Sequence, residues 1–548
     1  MRKFPRIAAA LLFGTVMAPL AAPAPAAPAP EPEYDIVIRG GRVLDGAGNP
    51  WVYADVAIRD GRIARIGVVP GTGRDEIDAR NRYVSPGFID MMDQSGEILP
   101  KSGGAENKLR MGVTTVIAGE GGTPVDAADI GHYLDGMEKS GIAVNFGTYY
   151  NAAQPRVKVM GDGAGTPTPQ QLEAMKAETA VAMRNGAFGV STALIYPPNS
   201  FQSTDEVVAL ASVAGKCGGF YASHMRDESA KLVEAIDEAI AIGERSGTKV
   251  EIFHLKAAYR PLAGKLMPQA LARIAAARAR GVDVAADLYP YTAGGTGLDI
   301  TVPNWVFAQG AKAGYEKLRD PAIRARLKRE VAAGSQPGWS NLVEAAGGWD
   351  HVMLANAFDP AMDRYRGQSL AAIGKAVGRD PADVAWDIVL KALPNRAYGL
   401  YFMMDEPDIE LALKQPWVSI GTDAGATAKF GEIDALGLPH PRAYGTFPRI
   451  LGDYVRTRHV LTLEDAVRKM TSWPATRMGL ADRGVLREGL RADITVFDAD
   501  TVTEGSSWEH PVASPRGIDD VIVNGVAVLR GGKATAARPG VALRHRCS

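Results

Sequence analysis

Apolar and polar residues follow one of two rhythms along most of this chain. From Tyr34 to about Tyr83 they alternate with a period of two, in YDIVIRGGRVLDGAG and VYADVAIRDGRIARIG, and glycine turns break the runs. That rhythm predicts short strands with one buried face. The same texture returns near the end, in RADITVFDAD and DDVIVNGVAVLRGGKA. Neither piece has enough strands to cover a core alone, so residues 34–83 and 480–548 are expected to pair into one small β-sandwich built from both chain ends.

Between these ends, continuous apolar runs alternate with amphipathic helical stretches. In order the runs are VSPGFIDM, TTVIAGE, AVNFGTY, GVSTALIY, GFYASHM, KVEIFHL, DVAADLYPY and WVSIGTD. Strands buried on both faces and separated by helices call for a parallel sheet. Eight of them in one series predict an α/β fold of (β/α)8 TIM type over residues 84–479. The stretch 304–416, between the last two strands, is too long for a loop. Its helical pattern, as in GYEKLRDPAIRARLKREVAAG, predicts an inserted cap over the mouth.

The N-terminus is made of different material. A basic MRKFPR, an apolar IAAALLFGTVMAPLAA and an Ala/Pro tract with several Ala-x-Ala sites predict a signal peptide over 1–27 and a Pro/Ala linker over 28–33. An uncleaved membrane anchor is the competing reading, and no cysteine follows the apolar run to carry a lipid. Export to a bacterial periplasm or medium is expected, with no stable membrane insertion after processing.

With 46% hydrophobic and 22% charged residues, the chain as a whole has the composition of a globular protein. Lys plus Arg number 61 against 62 Asp plus Glu, so no global field draws nucleic acid or anionic lipid, and the expected partner is a small-molecule substrate. Two cysteines, Cys217 and Cys547, fall in unrelated contexts. No disulfide framework is expected, and Cys217 reads as a small buried hydrophobe.

Barrel chemistry sits at the carboxyl ends of the strands. Those ends carry Asp90 with Met92 and Gln94, then Glu120, Tyr196, His224, His254, Asp287 with Tyr289, and Asp423. Singly, a histidine at a strand end is more often structural and an aspartate more often a turn former. Two histidines closing consecutive strands and a carboxylate closing the eighth together supply what a hydrolytic zinc site needs: neutral imidazoles, carboxylate oxygen and a place for water. An aspartate nearby can take the water's proton and pass it to the leaving nitrogen. Asp227 and Glu228, in SHMRDES, read as charges favouring a helix start.

Long stretches carry a resemblance: GVTTVIAGEGG, GAFGVSTALIYPPNSFQSTDEV, YASHMRDES, HLKAA, DLYPYTAGGTG, SIGTDAG and HPRAYGTFPRILGDYV, with PGFID and ADITVFD at the flanks. The chain resembles the amidohydrolase superfamily, and within it the D-aminoacylase (N-acyl-D-amino-acid deacylase) family. The resemblance implies zinc ligation by His224 and His254, an acid/base role for Asp423, and a substrate pocket lined by Lys256, Tyr196, Tyr289 and Arg442. A cation there would pair the carboxylate of an N-acyl amino acid.

Two departures stand out. The family's first-strand HxH is replaced by Met92, Asp93 and Gln94, and thioether and amide groups are poor zinc ligands. The cysteine of its second-strand loop is replaced within GEGG, which offers Glu120. These changes are read as compensating: His224, His254 and Glu120 form a two-histidine, one-carboxylate set for one Zn2+ per chain, in a variant branch lacking the HxH. The competing reading is a binding protein that has lost its metal. Within the enzyme class, a dipeptidase or cyclic-amide hydrolase stays open beside an N-acyl-D-amino-acid deacylase.

Overall fold

The computed structural model describes residues 1–3, 5, 32–431 and 438–547. Apart from residues 1–3 and 5, the expected leader and most of its linker lie outside the described residues. Among those described, no helix is long and apolar enough to cross a membrane.

The chain ends meet in one nine-stranded sheet. Tyr34–Val43 pairs antiparallel with Val52–Arg59 and parallel with Tyr83–Pro86. Tyr83–Pro86 then pairs antiparallel with Ile494–Phe497 from the far end of the chain, with Val84 opposite Val496. The period-two rhythm decides which residues lie inside. Ile36, Ile38, Val56 and Ile58 are buried with Ile494, Val496 and Ile522, and each such side chain contributes roughly 1.5–3 kcal/mol through removal from water.

All eight apolar runs are strands, and they lie parallel in two sheets. Phe88–Asp93, Val113–Ala118 and Asn145–Thr148 form the first. The second runs from Tyr150–Asn151 through Gly189–Ala193, Phe220–His224, Lys249–Ile252 and Val284–Leu288 to Val418–Ile420. The sheets touch along both margins. Phe188 donates its N–H to Thr148 O at 2.9 Å, and Asp423 donates to Met92 O at 2.8 Å. Between strands lie helices such as Leu232–Ser246, whose buried Leu232, Ala235, Ile236, Ala239 and Ile240 recur at three- and four-residue spacing. Gly247, at φ 69°, ends that helix in the left-handed conformation a side chain resists.

The segment between the seventh and eighth strands holds the expected helices, including Pro321–Ala333 and Pro381–Ala392. It also holds a sheet that the pattern did not reveal: Ala293–Gly297 and Val352–Asn356 flank Tyr398–Phe402 in antiparallel pairing. Its first strand is AGGTG, which carries none of the β-branched alternation that marks a strand. This segment has its own core, with Leu354, Trp386 and Tyr401 fully buried.

The expectation of unpaired cysteines is overturned: Cys217 and Cys547 form a disulfide with Cα atoms 4.4 Å apart. The C-terminal tail brings them together by crossing the underside of the strands. Gly540 and Ala542 bridge Ile142 and Phe146, and a ring nitrogen of His545 meets Cys217 O at 2.7 Å. Leu543 packs against an interior plug of Met91, Met92, Ile117, Tyr149, Phe188, Phe220, Phe253 and Met478.

Candidate active site

The ends of four strands supply the reactive groups. His224 is the last residue of the fifth strand. His254 and Asp423 follow the sixth and eighth, and both hold positive φ, 36° and 48°. Such backbone costs on the order of 1–3 kcal/mol per residue and persists where surroundings impose it. Here His254 N–H is tied to Asp287 Oδ1 at 2.8 Å, and Asp423 N–H to Met92 O. Glu120 follows Gly119, whose φ of 110° and closeness to the Tyr149 backbone exclude a side chain.

Glu120 Oε1 lies 2.8 Å from His224 Nδ1 and 3.1 Å from His254 Nε2. One donor atom from each of the three residues lies within 4.8 Å of the others. Two imidazoles and a carboxylate, converging and largely buried, form the donor set that zinc takes. The groups behind them fit as well. Glu228 places Oε1 3.0 Å from His254 Nδ1 and Oε2 3.4 Å from His224 Nε2, and a carboxylate behind a ligating histidine is the usual outer support of a zinc site.

Burial disfavours charge on Glu120, yet its hydrogen bonds to His224 and His254 hold its carboxyl well below the usual range. Glu228 follows the same logic: burial opposes ionisation, while His224, Lys256 and His254 outweigh it. Burial and Lys256 push His254 down, but the facing carboxylates Glu228 and Glu120 prevail and take it to about 10. Asp287 goes the other way: burial, and then Glu251, push it well above the usual carboxylate range despite the pull of His254 and its N–H.

These groups open on a cavity of roughly 390 Å³, within the span of small-molecule sites. Tyr196, Tyr289, Lys256 and Arg442 all line it, beside apolar Ile195 and Leu342. Lys256 Nζ is shared between both Glu228 oxygens at 2.8 Å and His254 Nδ1 at 2.6 Å. Arg442, buried over the Tyr289 ring, puts Nη1 2.8 Å from Asp423 Oδ2. That approach is close but not aligned as a hydrogen bond, so Nη1 and Nε remain without one. The Tyr196 hydroxyl donates to Thr296.

Several participants were not assigned from sequence. Glu228 does not serve a helix start: it stands behind both imidazoles, whereas Asp227 accepts from Ser229 and Lys231 in the turn ahead of Leu232–Ser246. Lys108 is fully buried and joins Asp90, Asp93 and Thr422 at 2.6–2.8 Å, fixing the strand that presents Asp423 one residue later. A lysine in the short helix Glu106–Arg110 gives no local signal that its partners lie on distant strands. Gln94, noted only as a missing ligand, donates Nε2 to Glu120 Oε2 at 2.6 Å and to Asp423 Oδ1 at 3.3 Å. Tyr149 and Tyr150 are buried packing groups, and His440 has both ring nitrogens engaged, by Ala293 O and Arg442 N–H.

Residues 75–529 match the model of an amidohydrolase family. The N-acyl-D-glutamate deacylase of Alcaligenes xylosoxydans xylosoxydans is 34% identical over 94% of this chain and 98% of its own length. The D-aminoacylase of the same organism is 32% identical over 90% of this chain and 94% of its own. Among solved structures, N-acyl-D-glutamate deacylase from Bordetella bronchiseptica, complexed with zinc and a phosphonate mimic of the tetrahedral intermediate, superposes with a TM-score of 0.77. It shows 30% identity and coverage of 93% of this chain and 99% of that one. The nine-stranded sheet and the eight parallel strands are therefore the β-sandwich and TIM-barrel parts of the amidohydrolase fold, and the chain belongs to the amidohydrolase superfamily and, within it, to the D-aminoacylase family.

Proposed function

We propose that this protein hydrolyses the amide bond of N-acyl amino acids, with D configuration at the amino acid, using a single divalent ion, zinc by preference, held by Glu120, His224 and His254. The observation that carries the reading is Glu120 Oε1 set between the two imidazole nitrogens, with Asp423 linked to the same carboxylate through Gln94. A bound ion there would acidify water and polarise the scissile carbonyl. Bonds between strands at both margins support closure of the eight as a (β/α)8 barrel, and the exchanged first-strand residues support a variant branch of the family.

The chain's own groups divide the remaining work. Asp423 accepts the proton of the attacking water and returns it to the departing nitrogen, and the Arg442 guanidinium stands 2.8 Å from its Oδ2. Arg442 also holds buried N–H groups with no hydrogen bond, an unmet demand that a substrate carboxylate satisfies. Tyr289 presents a phenol that burial keeps protonated, suited to donate to the acyl oxygen, while Tyr196, whose hydroxyl is bonded to Thr296, shapes the same pocket. Lys256 lines the same cavity while bracing Glu228 and His254.

Export fits the one disulfide, since reducing cytosol does not maintain such bonds, and it fits the N-terminal pattern. A panel of N-acetyl-D-amino acids against their L counterparts and dipeptides, with and without chelator, tests the reading. Chelator-sensitive cleavage of the D series supports it. Equal turnover of dipeptides, or turnover that survives full metal removal, defeats it.

A further inference from the structure

We propose that Gln94 closes the site to a second cation and orients Asp423, an inference resting on the reading that Glu120, His224 and His254 hold one ion. With Glu120 Oε1 turned to the imidazoles, the oxygens left to build another cation site are Glu120 Oε2 and Asp423 Oδ1. The Gln94 amide nitrogen already stands between them, at 2.6 and 3.3 Å. The opposite amide orientation would set oxygen against two carboxylates, so the nitrogen assignment follows from chemistry.

No other donor compensates from the first strand. Met92 is buried with Ile117 and Tyr149 in the interior plug, which fixes its thioether among apolar groups. Asp93 is spent on Lys108 and Ser95. On its far side Asp423 Oδ2 faces Arg442 at 2.8 Å, so a second ion would meet an existing cation. An amide satisfies both carboxylates without adding charge, and it leaves Asp423 a free base instead of a ligand. Gln94 touches no reacting atom in this scheme and is a positioning residue.

The test is metal content after equilibrium dialysis of the full protein against excess zinc, read by mass spectrometry, together with kcat and KM. The unaltered protein is expected to hold about one equivalent, and Gln94→Glu, of nearly equal shape but with a third carboxylate, about two. Gln94→Met, which keeps length but donates nothing, is expected to lose about tenfold in kcat with KM unchanged, the scale of one hydrogen bond to a charged group. One equivalent in Gln94→Glu or an unchanged kcat in Gln94→Met overturns the inference while leaving the single-ion hydrolase standing, whereas two equivalents in the unaltered protein overturn the inference together with the single-ion reading. No zinc in any form removes that underlying reading and this inference with it.

Discussion

The two ends of the barrel are built from opposite materials. At the mouth, Glu120, His224, His254, Glu228, Lys256, Asp423 and Arg442 crowd into one ionic network, and two of them hold left-handed backbone. Below it Phe188, Phe220, Phe253, Tyr149 and three methionines fill the interior, sealed by Leu543 of a tail that a disulfide pins in place. Buried charges repay their desolvation poorly, while packed apolar groups repay it well. Stability drawn from the floor therefore permits strain at the mouth, and changes at the two ends should separate activity from stability.

The largest expected effect lies at the mouth. Asp423→Asn should lower kcat by roughly 10²–10⁴ with bound zinc retained and the chain still folded, at some cost in melting temperature because buried Arg442 loses its charged partner, as activity assays, calorimetry and metal analysis on the same sample would show. Joint loss of folding and activity would erase the contrast between the ends.

The floor should respond in the reverse sense. Arg477 reaches Glu251 Oε2 at 3.2 Å inside the strands, and removing one member of such a buried pair costs about 3–5 kcal/mol. Arg477→Met should lose that in denaturant unfolding, with kcat/KM per folded molecule unchanged. Its pH dependence sharpens the test. Burial raises Glu251 from 4.5 to about 7 despite Arg477, so the folded state holds more protons than the unfolded between those values, and this group's contribution to stability falls as pH rises through about 7. Glu251→Gln should flatten that part of the stability profile, and the penalty of Arg477→Met should shrink in mild acid, where Glu251 is neutral.

A smaller loss is expected at the latch. Cys547→Ser opens a cross-link spanning 330 residues and should cost about 2–4 kcal/mol, by whichever mechanism disulfides act, with no change in turnover. The smallest effect returns to the cavity. Tyr196→Phe removes a hydroxyl bonded to Thr296 and should change kcat/KM by about 1 kcal/mol equivalent, measurable as a several-fold shift.

How far the chain could be read in advance follows the same division. Strands such as GVSTA and FYASH announce themselves as short runs without charged residues between helical stretches, and their order predicts which residues reach the mouth, which is why Glu120, His224 and His254 could be named together. Features set by distant pairing were not visible. Nothing near Cys217 points to Cys547, because the tail that joins them is positioned by backbone pairing to Ile142 and Phe146. Glu228 resembles a helix-start acid in sequence, and only the turn capped by Asp227 redirects it toward the imidazoles. Gln94 looked like an absence, and its amide acquires a role only once two carboxylates face it.

The central claim is that Glu120 completes the ion site with the two histidines. It is tested most directly by zinc content in the unaltered protein and in Glu120→Gln, purified and dialysed identically. About one equivalent in the first, falling to a small fraction in the second with amide hydrolysis lost in parallel, is the predicted result; an ion and a turnover rate retained in Glu120→Gln would contradict it.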